Sequence, residues 1–280
     1  MSSFEVLAPL AQPEALPSIM AAGADAVYAG LYGFSSRPNS ADLTLEQLRQ
    51  AREQTACQSI KLLVAVNSFV GHTQMEELLW QLELLDKMRV DAVILADWGA
   101  LWAAREVLRH AQLHASTLLG VYNAPSVRVL QGMGVARVVL NTALYIHEMH
   151  GIIQSAPDVE YEIIASGGVC GNDNRQCELP HTGHGAQYQV ACRKPYRLRG
   201  EGIDRAARPL ALPQAQLERV LGVYMSMGIR SFKIEGRTLP AEVICGRVAR
   251  LRQAVDSFLA DQANFRQYNP YLNRAAGYTG

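Results

Sequence analysis

The stretch from Ile60 to Ala96, IKLLVAVNSFVGHTQMEELLWQLELLDKMRVDAVILA, decides the fold. Ile60 to Val66 and Ala92 to Ala96 are short apolar runs rich in β-branched residues. Between them Met75, Leu78, Leu79, Leu82, Leu85 and Met88 recur at the i, i+3, i+4, i+7 spacing of one helix face. Strand, helix and strand in this order make a βα unit whose two strands lie parallel. Thr73 with Glu76 reads as a capping box opening the helix over Thr73 to Arg89.

The same alternation extends along the chain. The other strand candidates are Phe4 to Leu10, Ala26 to Ala29, Leu113 to Thr117, Arg137 to Leu140, Val159 to Ala165 and Ser231 to Ile234, which makes eight in all. Most are apolar on both faces, as expected of strands with helices outside and a filled barrel inside. Thr44 with Gln47 caps a second helix, and Pro213 to Met227 and Pro240 to Leu259 read as the last two. Gly23, Gly134 and Gly228 stand where a helix ends before a strand. Eight such units predict a (β/α)8 TIM-like barrel occupying residues 1–280 as a single domain, with a doubly wound open sheet as the alternative. Residues 166–213 form a long cysteine-rich loop after the seventh strand, and residues 262–280 a C-terminal tail.

Composition narrows the function. The chain has 280 residues, 49% of them hydrophobic and 19% charged, with 26 basic and 26 acidic side chains and a pI near 7.0. Disorder is excluded as the main character. A neutral balance argues against a broadly basic nucleic-acid surface, and no DNA partner is expected. No apolar run reaches the roughly 18 residues that span a bilayer. Met1 to Leu10 lacks the basic start and apolar stretch of a signal peptide, so a cytoplasmic protein is expected.

Three of the five cysteines, Cys170, Cys177 and Cys192, fall within 23 residues with the spacing C-x6-C-x14-C. In a loop after the seventh strand they would stand at the barrel mouth, where soft thiolates could hold zinc or an iron–sulfur cluster. For a fourth ligand the order is Cys245, then His181 or His184, then Cys57. Cys245 also fits an apolar helix face as a plain buried cysteine. Strand C-terminal ends build the active site of such a barrel. Its candidates are Asn67, Asp97, His114 with Ser116 and Thr117, Asn141, Ser166, and Glu235 with Arg237. Each alone is equally well explained as a cap or strand end. The chain has no GxGxxG, Walker, HExxH or GxSxG motif, and His147 with His150 reads as a solvated helical pair. Arg193 to Arg208 holds six basic and two acidic residues, a pattern suited to an anionic substrate or RNA phosphate, or to plain solvation.

Gly23-Ala24-Asp25-Ala26-Val27-Tyr28-Ala29-Gly30 with Phe34, Ser35 and Arg37, His114-Ala115-Ser116-Thr117 with Asn123, and Ser231-Phe232-Lys233-Ile234-Glu235-Gly236-Arg237 resemble the proteins of peptidase family U32, in order from about residue 4 to 258. The resemblance implies a barrel in which cysteines hold a [4Fe-4S] cluster. Cys170 and Cys177 match the family's pair after the seventh strand, and Cys192, Arg193 and Tyr196 match its Cys-Arg-x-x-Tyr. Tyr188 stands where many members have another cysteine, and none precedes the KIEGR segment, so the fourth ligand is left open. Asn141-Thr142-Ala143 replaces an Arg-Glu found after the sixth strand in many members.

The implied activity is oxygen-independent hydroxylation of a ubiquinone precursor or of an RNA base. On this reading Glu235 is the acid–base group, Lys233 and Arg237 hold an anionic portion, and Asp97 and His114 are secondary candidates. The alternatives are a U32 peptidase of the collagenase-like kind, for which no activated nucleophile is visible, and a non-catalytic cluster carrier paired as a heterodimer with a related U32 chain.

Overall fold

The computed structural model describes residues 4–36, 42–168, 181–182, 189–190, 196–207 and 214–262. Eight parallel strands form a closed ring: β1 (Glu5–Pro9), β2 (Ala26–Leu31), β3 (Lys61–Val66), β4 (Ala92–Leu95), β5 (Gln112–Ala115), β6 (Val135–Val139), β7 (Glu160–Gly168) and β8 (Ser231–Ile234). Each pairs with its sequence neighbour, and β8 closes on β1 with Glu5 opposite Ser231 and Leu7 opposite Lys233. This is the (β/α)8 barrel, with every one of the eight expected strands in place.

The helices α1 (Leu16–Ala21), α2 (Leu45–Ala56), α3 (Met75–Lys87), α4 (Trp98–Val107), α5 (Ala124–Gly132), α6 (Ile146–Ser155), α7 (Leu221–Met227) and α8 (Ala241–Ala260) cover the outside. No helix among the described residues is long and apolar enough to cross a membrane. Alternate strand residues such as Val6, Ala8, Val27, Val64, Val93, Val138, Ile163 and Phe232 are buried against the helices. The cap of α2 is the expected box: Gln47 N–H donates to Thr44 Oγ1 at 3.3 Å and Thr44 N–H to Gln47 Oε1 at 2.9 Å. Gly23, Gly134 and Gly228 all take positive φ at helix ends.

Two local expectations are corrected. Thr73 and Glu76 do not cap α3; the chain enters through a 3-10 turn at His72–Gln74, with Gly71 N–H donating to Gln74 Oε1 at 3.1 Å. Nor does the seventh helix start at Pro213. β7 runs on to Gly168 beyond the ring, and its unpaired backbone edge is satisfied by an antiparallel strand at Gln214–Gln216, so α7 begins only at Leu221. The long excursion therefore leaves the strand at Gly168, not at Ser166. It returns at the same height, because Gln214 pairs with Gly168.

The barrel interior is not uniformly apolar. Leu7, Ala26, Tyr28, Leu63, Ala65, Ala92 and Ile94 pack together on one side. On the other, Arg137 Nη1 donates to Glu5 Oε1 at 2.6 Å, to Glu162 Oε2 at 3.0 Å and to Ser231 Oγ at 3.1 Å, while Nη2 reaches Glu160 at 2.9 Å. Lys61 pairs with Glu5 at 2.9 Å and Lys233 with Glu162 at 3.1 Å. Burial alone would raise the Glu5 pKa, but Arg137 and Lys61 hold it down to about 2. A buried charge that loses its partner costs roughly 3 kcal/mol or more.

Glu5→Gln should accordingly lower stability at neutral pH by about 3 kcal/mol. Because the folded-state pKa is depressed, the Glu5 contribution is complete above about pH 4.5 and is lost as pH falls toward 2. Urea midpoints of the wild type should drop through that window, and those of the variant should drop less. Equal pH profiles would contradict the assignment.

Candidate active site

The KIEGR segment turns from β8 into the loop before α8, and its alternating residues Ser231, Lys233 and Glu235 climb the barrel interior from the floor to the mouth. Lys233 Nζ sits 4.1 Å from the centre of the Tyr28 ring as well as pairing with Glu162. Burial lowers the Lys233 pKa, against the pull of Glu162. Tyr28 in turn donates from its hydroxyl to Ile234 O at 3.1 Å, so the ring is fixed under the ammonium.

Glu235 is the most firmly positioned carboxylate at the mouth. Its N–H donates to Ser166 O at 2.8 Å, its carbonyl accepts from Arg247 Nη1 at 2.9 Å, and its Oε2 accepts from Gly168 N–H at 3.1 Å. Gly167, at φ +116°, packs so closely against the Glu235 backbone that a Cβ would not fit. A carboxylate on a half-buried rim, with its backbone fixed at both ends and one oxygen held by a backbone N–H, is suited to taking or giving a proton at a fixed place.

Arg237 plays another part. Its Nη1 pairs with Asp42 Oδ1 at 2.8 Å, its Nη2 donates to Ser35 at 2.8 Å, and the guanidinium is buried. It ties the loop after β2 to the loop after β8 rather than facing solvent. The absence of a side chain at Gly30 makes room for this pair, since a Cβ there would run into both Arg237 Nη1 and Asp42 Oδ1. Beside it lies an open cleft of about 330 Å³ lined by Pro9, Gln12, Ile19, Arg237, Leu239 and Ile244.

The remaining candidates separate by role. His114 projects into the interior, fully buried, 3.3 Å from Gln112 Oε1, with no partner for Nδ1 among the described residues. Burial first, then the charges of Arg137, Lys233 and Lys61, keep it neutral, with a pKa well below the usual 6.5. Asp97 caps α4 by accepting from Ala100 N–H at 2.8 Å. Ser116 caps a 3-10 turn through Leu118 N–H, Asn141 accepts from Ala143 N–H, and Asn67 accepts from Ser36 N–H. Asp97 and Ser116 are thus spent on caps, Asn67 ties down the loop after β2, and Asn141 keeps a buried Nδ2 without a partner among the described residues.

Cys170, Cys177, Cys192 and His184 lie outside the described residues, as does the side chain of His181. Cys245 packs against the apolar core from the second turn of α8, where burial pushes its thiol pKa up, with Glu242 adding to the rise. Cys57 is exposed at the end of α2, on the side of the barrel away from the mouth. Among the described residues no three His, Cys, Asp or Glu side chains are placed to hold a metal. Arg247 escaped sequence reasoning, although an arginine within the Ile244, Val248, Leu251, Val255 stripe of α8 is itself a signal.

A closed (β/α)8 barrel with a buried lysine and a clamped glutamate at its mouth is the class these observations define. The family model of peptidase family U32 matches residues 11–277, and the chain belongs to that family. It is 29% identical over 279 residues to the tRNA hydroxylation protein P1 of Bacillus subtilis, covering 93% of this chain and 65% of that one. It is 27% identical to the 23S rRNA 5-hydroxycytidine C2501 synthase of Escherichia coli, over 93% of this chain and 40% of that protein. It is 25% identical to a collagenase of Porphyromonas gingivalis, over 92% and 67%. The chain thus spans from about two fifths to about two thirds of these relatives' length. Among solved structures a U32 peptidase superposes with a TM-score of 0.54 at 10% identity, covering 86% of this chain and 96% of that one, a likeness of fold.

Two outcomes follow. Gly30→Ala should push the Arg237–Asp42 pair apart and lower stability by roughly 1–3 kcal/mol, as overpacking does; an unchanged thermal midpoint would contradict the close approach. Because burial holds the His114 pKa well below 6.5, the unfolded chain takes up this proton first, so wild-type stability should fall below about pH 6.5, by up to about 1.4 kcal/mol per pH unit. His114→Gln should remove that slope in denaturant titrations.

Proposed function

We propose that this protein supports oxygen-independent hydroxylation of an RNA base at the barrel mouth, with Cys170, Cys177 and Cys192 holding a [4Fe-4S] cluster. The observation that carries the reading is the hydrogen bond from Gly168 N–H to Glu235 Oε2. The cysteine-bearing excursion departs from that very residue, so its root is tied to the strongest acid–base candidate. Two of the relatives are hydroxylation proteins acting by name on tRNA or rRNA, which is why an RNA base is preferred to a ubiquinone precursor.

The cluster would supply single-electron chemistry. A reducible oxygen-donor co-substrate would supply the oxygen atom and take up the two electrons as a ring C–H becomes C–OH; of the chain's own residues, Glu235 would take the proton lost from the ring carbon, Lys233 would offer positive charge from the interior, and the Arg237–Asp42 tie would hold the rim in place. The apolar setting of Cys245 speaks for a site in which the three loop cysteines are the thiolate ligands and the fourth position is not a cysteine. A cytoplasmic location suits a substrate of this kind.

The collagenase relative favours a second reading, peptide hydrolysis. Against it, His114 inside the barrel is hydrogen-bonded to Gln112, and among the described residues it is not paired with a serine or cysteine nucleophile.

Protein purified without oxygen should be brown, with iron and sulfide lost in Cys177→Ala. Glu235→Gln should keep the cluster but reduce hydroxylated nucleoside, measured by mass spectrometry of RNA from a complemented deletion strain, by about 10²-fold or more. A colourless protein even after anaerobic reconstitution would overturn the cluster. Gelatin cleavage abolished by Glu235→Gln would move the assignment to the peptidase. Activity that appears only on adding a second U32 chain would show that the heterodimer is the working unit.

A further inference from the structure

Within the excursion, Tyr196–Gly200 and Ile203–Ala207 form a two-stranded antiparallel ribbon that turns at Glu201 and Gly202. A lone two-stranded hairpin is marginal in water and gains from covering something. Every residue from Arg199 to Ala206 is exposed, and Ile203 keeps 50% of its surface in solvent. The register sets Arg197 and Arg199 opposite Ala206 and Asp204, and Leu198 opposite Arg205. Arg199 and Arg205 therefore emerge on opposite faces of the ribbon. Arg197 is held by Asp204 in a two-point pair, Nε to Oδ1 at 2.7 Å and Nη2 to Oδ2 at 3.0 Å. Among the described residues Arg199 and Arg205 have no ion-pair partner.

Charge points to the occupant. Six of the chain's 26 basic residues but only two of its 26 acidic ones fall between 193 and 208, which leaves 20 against 24 elsewhere. The segment is positive on a protein that is otherwise negative, so it selects a polyanion and the rest of the surface repels one. The ribbon's chain is rooted at the mouth, at the Gly168–Gln214 pairing.

We propose that this ribbon is an arm that grips the backbone of the RNA whose base enters the mouth, with Arg199 and Arg205 on phosphates and Ile203 against a sugar or base face. This rests on the RNA reading above. A guanidinium on each face suits a folded RNA whose backbone passes on both sides of the arm.

Anisotropy of a fluorescein-labelled RNA stem–loop against the full chain, titrated at several salt concentrations, tests it. Arg199→Ala with Arg205→Ala should lower the slope of log affinity against log salt by roughly 1.4 to 1.8, taking about 0.7 per phosphate contact on a single strand and about 0.9 on a duplex. Binding at low salt should weaken by roughly tenfold or more. The double lysine variant should keep the wild-type slope. Asp204→Asn, which frees Arg197, should bind more tightly, a gain that damaged folding cannot imitate. Unchanged affinity and slope in the double alanine variant, with wild type still binding, would overturn the arm and leave the RNA reading intact. A wild type that binds no RNA, or binds heparin equally well, would overturn both.

Discussion

Arg137 is the constraint on which the barrel depends. Its guanidinium touches carboxylates from β1 and β7 and the hydroxyl of Ser231 on β8, so four strands of the ring converge on one buried cation. Three cations, Arg137, Lys61 and Lys233, meet three carboxylates, Glu5, Glu160 and Glu162, which balances the charge. Such a network adds little net stability over an apolar core, yet each member is costly to remove singly. It fixes register instead, since a slip of one residue would turn Glu5 or Glu162 toward the helices.

Glu162 carries this constraint upward. One of its oxygens takes Arg137 and the other takes Lys233, so the floor and the mouth share a carboxylate. Lys233 is therefore placed from below by Glu162 and from the side by the Tyr28 ring. Glu235, two residues on, is placed by backbone contacts from β7 and by Arg247 of α8. Lys233 is the last inward position of β8 and Glu235 follows directly on the strand's end, where the backbone of β7 and the α8 arginine hold it.

The strands were legible because each outward face is a continuous apolar row and each helix a clean stripe. The charged interior was not. Arg137 opens a run that reads as Arg-Val-Val-Leu, and Glu162 interrupts Tyr161 and Ile163; each looks like a solvated strand residue until closure brings positions 5, 137, 162 and 231 together. Proximity over such separations is a property of the ring, absent from any local window. The polar strand ends were legible as a set, but individually Asp97 and Ser116 proved to be caps, because an Asp or Ser before a helix meets the same spacing whether it serves a substrate or a backbone N–H. Arg237 illustrates the reverse: a charged residue in a recognisable motif, spent on holding two loops together.

The relation between the excursion and the barrel follows from β7. By overrunning the ring to Gly168, that strand offers an edge on which Gln214–Gln216 pairs, so the two ends of the intervening chain are brought together on the mouth side. Bringing together the ends of a segment of this length costs about 3 kcal/mol in chain entropy, an amount the added strand pairing can offset. The consequence is a division of labour between ring and rim. The ring, stiffened by buried charge, sets where Lys233 and Glu235 stand, and the pairing of Gln214 with Gly168 sets where the intervening chain begins and ends beside them.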